Sequence, residues 1–216
     1  MKTSEDGRSS NPRKATRCEW SRLSWAAILV WMAAAPPARA ELLTRQVNLA
    51  YLAQRAEVIV QGRVTAVRYE GLPGYPHIPT VLVTLEVERR LRGPAGGHYT
   101  FRQWISSPRA LTGKRGYQVG QRLLLFLPAA SDAGLSSPIG QEQGRFHVVR
   151  DARGPDHVAN EFNNAGLFTN VSETAEKAGA SLAGRQLQTA STRSGPVPLE
   201  DFVELVEHLK GLSRNP

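Results

Sequence analysis

Val58-Ile-Val-Gln-Gly-Arg-Val-Thr-Ala66 decides the fold. Val58, Val60, Gly62, Val64 and Ala66 alternate with Ile59, Gln61, Arg63 and Thr65, the period of a strand with one buried face. Gly62 in its middle predicts a bulge or a sharp bend. Upstream the period is different. Leu49, Leu52, Ala53 and Ala56 recur at three- and four-residue spacing, which predicts a short helix over Val47–Ala56.

Downstream, Gly71-Leu-Pro-Gly-Tyr-Pro-His-Ile-Pro79 holds three prolines and two glycines and reads as a loop. Alternation resumes from Thr80 to Leu91, with Val81, Val83, Leu85 and Val87 on one face and Thr84, Glu86 and Glu88 on the other. Tyr99–Ile105 is a third strand with aromatic residues at alternate positions. Arg122-Leu-Leu-Leu-Phe-Leu127 is a continuous apolar run, as in a strand buried on both faces. Arg145–Val149 is a fifth.

Ser172–Pro198, rich in Ser, Thr, Ala and Gly, reads as mobile loop within an irregular segment 151–198. The chain ends in a C-terminal helix within 199–216. Its apolar side is Leu199, Phe202, Val203, Leu205, Val206, Leu209 and Leu212, with Glu200 and Asp201 in the first turn as the helix dipole prefers. Strands joined by turn-rich segments predict a mainly β fold: a five-stranded, OB-like antiparallel barrel over 41–150, with a short N-terminal helix and a C-terminal amphipathic helix.

The first 40 residues read as a signal peptide. Six basic residues precede an eleven-residue apolar stretch, Trp25–Ala35, followed by Pro36-Pro37 and Ala38-Arg39-Ala40. Cleavage is expected between Ala40 and Glu41, giving a secreted or periplasmic protein with no stable membrane span. The leader takes seven basic and three acidic residues, leaving 20 against 16, a net of +4 instead of +8. It also takes the single cysteine, Cys18. Disulfides, cysteine zinc sites and cysteine catalysis are then excluded in the mature chain.

Three segments carry a resemblance. Ala56-Glu-Val-Ile-Val-Gln-Gly-Arg-Val64, Val87-Glu-Arg-Arg-Leu-Arg-Gly93 and Tyr117-Gln-Val-Gly-Gln-Arg-Leu-Leu-Leu-Phe-Leu127 occur in that order. The chain resembles uncharacterised secreted bacterial proteins with an OB-type barrel and, distantly, netrin-type modules and the tissue inhibitors of metalloproteases. The resemblance covers about residues 49–150 and implies the barrel. The inhibitors bind a protease's catalytic zinc through an N-terminal cysteine held by disulfides. Here the expected N-terminus is Glu41 and no cysteine remains, so the resemblance supports fold more than inhibition.

Local catalytic signatures are weak. His77, His98, His147, His157 and His208 form neither H-x-x-x-H nor H-E-x-x-H, so a metal site would need His147, His157 and Asp156 to meet in space. No G-x-S-x-G occurs, and Gly93–Gly97 lacks the following Lys-Ser/Thr of a phosphate loop. Glu86 and Glu88 share a strand face, a pattern of paired acids but more often of solvated positions. Tyr99, Phe101, Arg102 and Trp104 form an aromatic and basic cluster on the third strand, with Tyr99 and Phe101 on one face and Arg102 and Trp104 expected to part to opposite faces. A charge of +4 and export argue against nucleic acid.

The expected function is therefore an exported, non-enzymatic binding module without cofactor or metal. Its partner is a protein or cell-envelope component, met by Glu41, Tyr75, His77, Tyr99, Arg102 and Trp104 and by the loops Leu72–Pro79 and Ser106–Gly116. Two alternatives stand beside it: an inhibitor or accessory protein of a secreted metalloprotease, and a hydrolase or metal-dependent enzyme.

Overall fold

The computed structural model describes residues 46–106, 116–151 and 154–212. The leader, Glu41 and most of the Ser106–Gly116 loop lie outside the described residues.

Helix α1 (Leu49–Arg55) starts at Asn48, whose side chain accepts a hydrogen bond from Tyr51 N at 2.9 Å. It buries Leu49, Ala50, Leu52 and Ala53. Strands β1 (Val58–Leu72) and β2 (Tyr75–Arg92) follow as one long antiparallel hairpin.

Gly71–Pro79 is thus mostly strand, against the expectation of a loop. The turn shrinks to Pro73-Gly74, with Gly74 at φ +81° as the third position of a type II turn requires. The ladder slips between Gly71 and Leu72, where the prolines crowd the opposite strand. A Cβ on Gly71 would lie 2.4 Å from the Pro76 carbonyl oxygen. Gly62 meets the same constraint at mid-strand: a Cβ there would lie 2.4 Å from the Glu86 carbonyl oxygen, beside a register shift between Gln61 and Gly62.

Strands β3 (His98–Trp104), β4 (Arg122–Leu127), β5 (Arg145–Val149), β6 (His157–Asn160) and β7 (Val197–Pro198) complete one sheet in the order β3-β2-β1-β4-β5-β6-β7. Every neighbouring pair is antiparallel. The protein is mainly β, as expected, but the sheet has seven strands and is not closed into a five-stranded barrel. A single parallel bridge, Arg102 to Leu135, brings the segment after β4 to the edge of β3, with Ser136 N donating to Arg102 O at 2.7 Å.

Both faces of this sheet bury apolar residues. Leu123, Leu125 and Leu127 of β4 join Val60, Val83, Leu85 and Phe101 on one side. Leu124 and Phe126 join Ile59, Phe146 and the helices on the other. The five apolar residues of β4, Leu123 to Leu127, are fully buried, which is why this strand does not alternate.

Three further helices cover the second face: α2 (Val171–Lys177), α3 (Gly184–Ala190) and α4 (Leu199–Lys210). The Ser172–Pro198 stretch therefore contains two short helices and β7 where composition suggests mobile loop. Val171, Ala175, Leu182 and Ala190 are buried, so a few small side chains suffice to dock it. Buried Asn164 ties the preceding turns together, donating from Nδ2 to Val158 O at 3.0 Å and Gly195 O at 2.9 Å. Phe202 of α4 sits among Phe126, Phe146 and Phe168, with ring centroids 5.1 to 6.5 Å away.

Candidate functional site

Strand register sorts the side chains. Glu70, Thr80 and Trp104 are opposite one another across β1, β2 and β3, as are Arg68, Leu82 and Arg102, and both rows lie on the same face. Ala66, Thr84 and Thr100 form the next row. Over β4 and β5 this face carries the helices, but Trp104 here is 53 % exposed.

Arg102 and Trp104, expected on opposite faces, therefore share one: the β2–β3 ladder runs without a slip, and residues two apart in it point the same way. Arg102 is fixed twice. Nη1 donates to Thr80 Oγ1 at 2.9 Å and Nη2 to Glu70 Oε1 at 2.7 Å. Thr80 Oγ1 in turn donates to Glu70 O at 2.8 Å, and the Thr84 and Thr100 hydroxyls meet at 2.9 Å.

The other candidates are dispersed. Tyr99 turns to the opposite face, stacked on Phe101 with centroids 6.5 Å apart, and its burial pushes the phenol pKa up. Tyr75 and His77 are exposed near the ribbon tip, edge to face at 6.4 Å. Glu41 lies outside the described residues.

Of the paired acids Glu86 and Glu88, Glu88 is part of an ionic clamp. Arg122, at the start of β4, donates from Nε and Nη2 to Glu88 at 2.8 to 3.0 Å and from Nη1 to Asp156 Oδ2 at 2.6 Å. Gln61 Nε2 also donates to Glu88, at 3.0 Å, and Arg63 lies 3.8 Å from it. The hydrogen bonds from Arg122 hold the Glu88 carboxyl below its ordinary pKa, against the opposing effect of burial. Such a group is a poor general acid at neutral pH. Asp156 is likewise lowered, first by Arg122.

The histidine–aspartate metal reading does not assemble. His147 Nε2 pairs with Glu161 at 3.0 Å while Asp156 faces Arg122 and Arg150. Among the described residues no group of His, Cys, Asp and Glu is placed to hold a metal ion. Burial, and then the charge of Arg145, lower the His147 pKa.

Pattern reading passed over two arginines. Arg145 has a side chain only 2 % exposed, lies over the Tyr117 ring at 4.9 Å and pairs with Glu142 at 2.5 Å. Tyr117 beneath it donates its hydroxyl to Gln103 Oε1 at 2.8 Å, and burial pushes its pKa well up. Arg92 donates to Ala53 O at 2.8 Å and to Ala56 O and Lys210 O, each at 2.6 Å. It thereby satisfies carbonyls at the C-terminal ends of α1 and α4 together. The signal was present in the quoted segments: Glu88 and Arg92 belong to one, Arg122 to another.

No protein-family model matches the chain, and neither curated proteins nor solved structures give a match. No helix among the described residues is long and apolar enough to cross a membrane.

Proposed function

We propose that the chain is an exported binding module that performs no chemistry and holds a protein or cell-envelope partner on the open face of the β1–β3 ribbon. One observation carries the proposal: Trp104 stands 53 % exposed on a ladder-paired strand, beside an arginine immobilised by Glu70 and Thr80. Preorganised aromatic and arginine side chains are the usual anchors of an interface. Glu88 and Asp156 are engaged with Arg122, and His147 with Glu161.

The OB-type reading of the architecture is part of the proposal. It is supported by β1 lying between β2 and β4, and by the parallel bridge that draws the segment after β4 towards β3. Export is supported by the leader sequence. Inhibition of a metalloprotease would run through Glu41, which lies outside the described residues.

The test is recovery of the tagged chain from the cell envelope with whatever co-purifies. Trp104→Ala is expected to lose the partner, while Leu187→Ala, at an exposed position of α3, keeps it. Retention by Trp104→Ala of all that the parent chain binds refutes the proposal.

A further inference from the structure

We infer that the ligand of this face is an uncharged, hydroxyl-rich glycan chain that stacks on the Trp104 indole. The inference rests on the binding reading above and narrows it to one chemistry.

Charge is the first argument. Arg63, Arg68 and Arg102 on this side of the ribbon are matched in number by Glu70, Glu86 and Glu88, with Arg102 paired to Glu70 and Glu88 shared between Arg63 and Arg122. Arg102, the guanidinium beside the indole, is already neutralised by Glu70 at 2.7 Å. A polyanion such as nucleic acid gains little from a cation whose charge is spent. An acidic peptide meets the same obstacle.

The backbone supplies the second argument. Peptide segments that add to a sheet edge are held by main-chain hydrogen bonds. At Arg102 that edge is occupied: Ser136 N donates to its carbonyl and Leu135 forms the parallel bridge. Recognition beside Arg102 then runs through side chains.

What the side chains offer is specific. An indole face receives the C–H face of a pyranose ring. A fixed carboxylate and guanidinium pair accepts from and donates to neighbouring hydroxyls. The Thr84 and Thr100 hydroxyls continue the row, each able both to donate and to accept. From His98 to Trp104 the strand extends roughly 20 Å, room for a short oligosaccharide.

The experiment is calorimetric titration of the full chain with N-acetylglucosamine hexamer and cellohexaose, with heparin and an acidic peptide as comparison ligands. At least one neutral oligomer is expected to bind, and Trp104→Ala to weaken it by about tenfold or more without changing the melting temperature, since the ring is half exposed. Glu70→Gln frees the Arg102 charge and is expected to weaken the neutral oligomer while introducing heparin binding. Failure of both neutral oligomers to bind, or binding unchanged in Trp104→Ala, overturns the inference. If that occurs while Trp104→Ala still loses a co-purifying protein, the glycan assignment falls and the binding face stands. If neither is lost, both fall.

Discussion

Replacing Arg92 by methionine removes one guanidinium and three hydrogen bonds while keeping an apolar stem of similar length. The three acceptors, Ala53 O, Ala56 O and Lys210 O, lie 2.6 to 2.8 Å from the guanidinium nitrogens in partly buried surroundings. Hydrogen bonds to a charged group are each worth about 1.5–3 kcal/mol, but three from one side chain are not additive, and water reaches some of the orphaned carbonyls. A loss of about 3 kcal/mol follows. For a chain of this size that lowers the melting temperature by roughly 6–12 °C. The assay is thermal and urea unfolding followed by circular dichroism, with the urea m-value unchanged if only stability is altered. Arg92→Lys restores a charge but reaches fewer carbonyls, and is expected to fall between the two. A shift below about 2 °C for Arg92→Met would refute the assignment of Arg92 as the tie between α1, α4 and the end of β2.

Other outcomes follow from the same geometry. Glu88 has a folded pKa below its ordinary value of 4.5, so its contribution is complete above that pH and is lost as pH falls through the lower, folded value; Glu88→Gln should flatten the acid limb of a stability–pH profile and leave the alkaline side unchanged in shape. Gly62→Ala drives a Cβ onto the Glu86 carbonyl and should cost about 1–3 kcal/mol by urea unfolding, whereas Gly97→Ala, with open space around it, should cost much less. Phe202→Ala empties the centre of the aromatic cluster on the helical side and should destabilise by about 3–5 kcal/mol. Amino-terminal sequencing of the exported protein should begin at Glu41.

Parts of this fold are legible because they depend on local period. The α4 stripe from Leu199 to Leu209 is a 3.6-residue pattern with a buried face, and β4 is an apolar run buried on both sides. Gly62 marks its register shift because only a missing side chain lets the Glu86 carbonyl approach. The length of the β1–β2 hairpin was hidden, since Pro76 and Pro79 signal loop and only the pairing partners show that they sit in strand. Helices α2 and α3 escaped because Ala175 and Ala190 bury small side chains that carry little hydropathy.

Sheet closure is non-local, so alternation gives strands without stating how many join or whether the ends meet. Of the six candidate residues, Arg102 and Trp104 share an open face while Tyr99 turns inward and Tyr75 and His77 lie near the tip. Strand parity alone could have placed Arg102 with Trp104. The fixation of Arg102 by Glu70 could not have been read that way, because it spans 32 positions and depends on β1 and β3 flanking β2.

The central claim is that partner contact occurs at the open ribbon face and not over the helices. Site-specific photo-crosslinking in the cell envelope tests it most directly, with Trp104 kept and the reactive group placed in turn at Thr100 on the same face of β3, at Tyr51 on α1 and at Leu187 on α3, all exposed. The account predicts a discrete adduct from position 100 and none from 51 or 187. Adducts from 51 or 187 with none from 100 would contradict it.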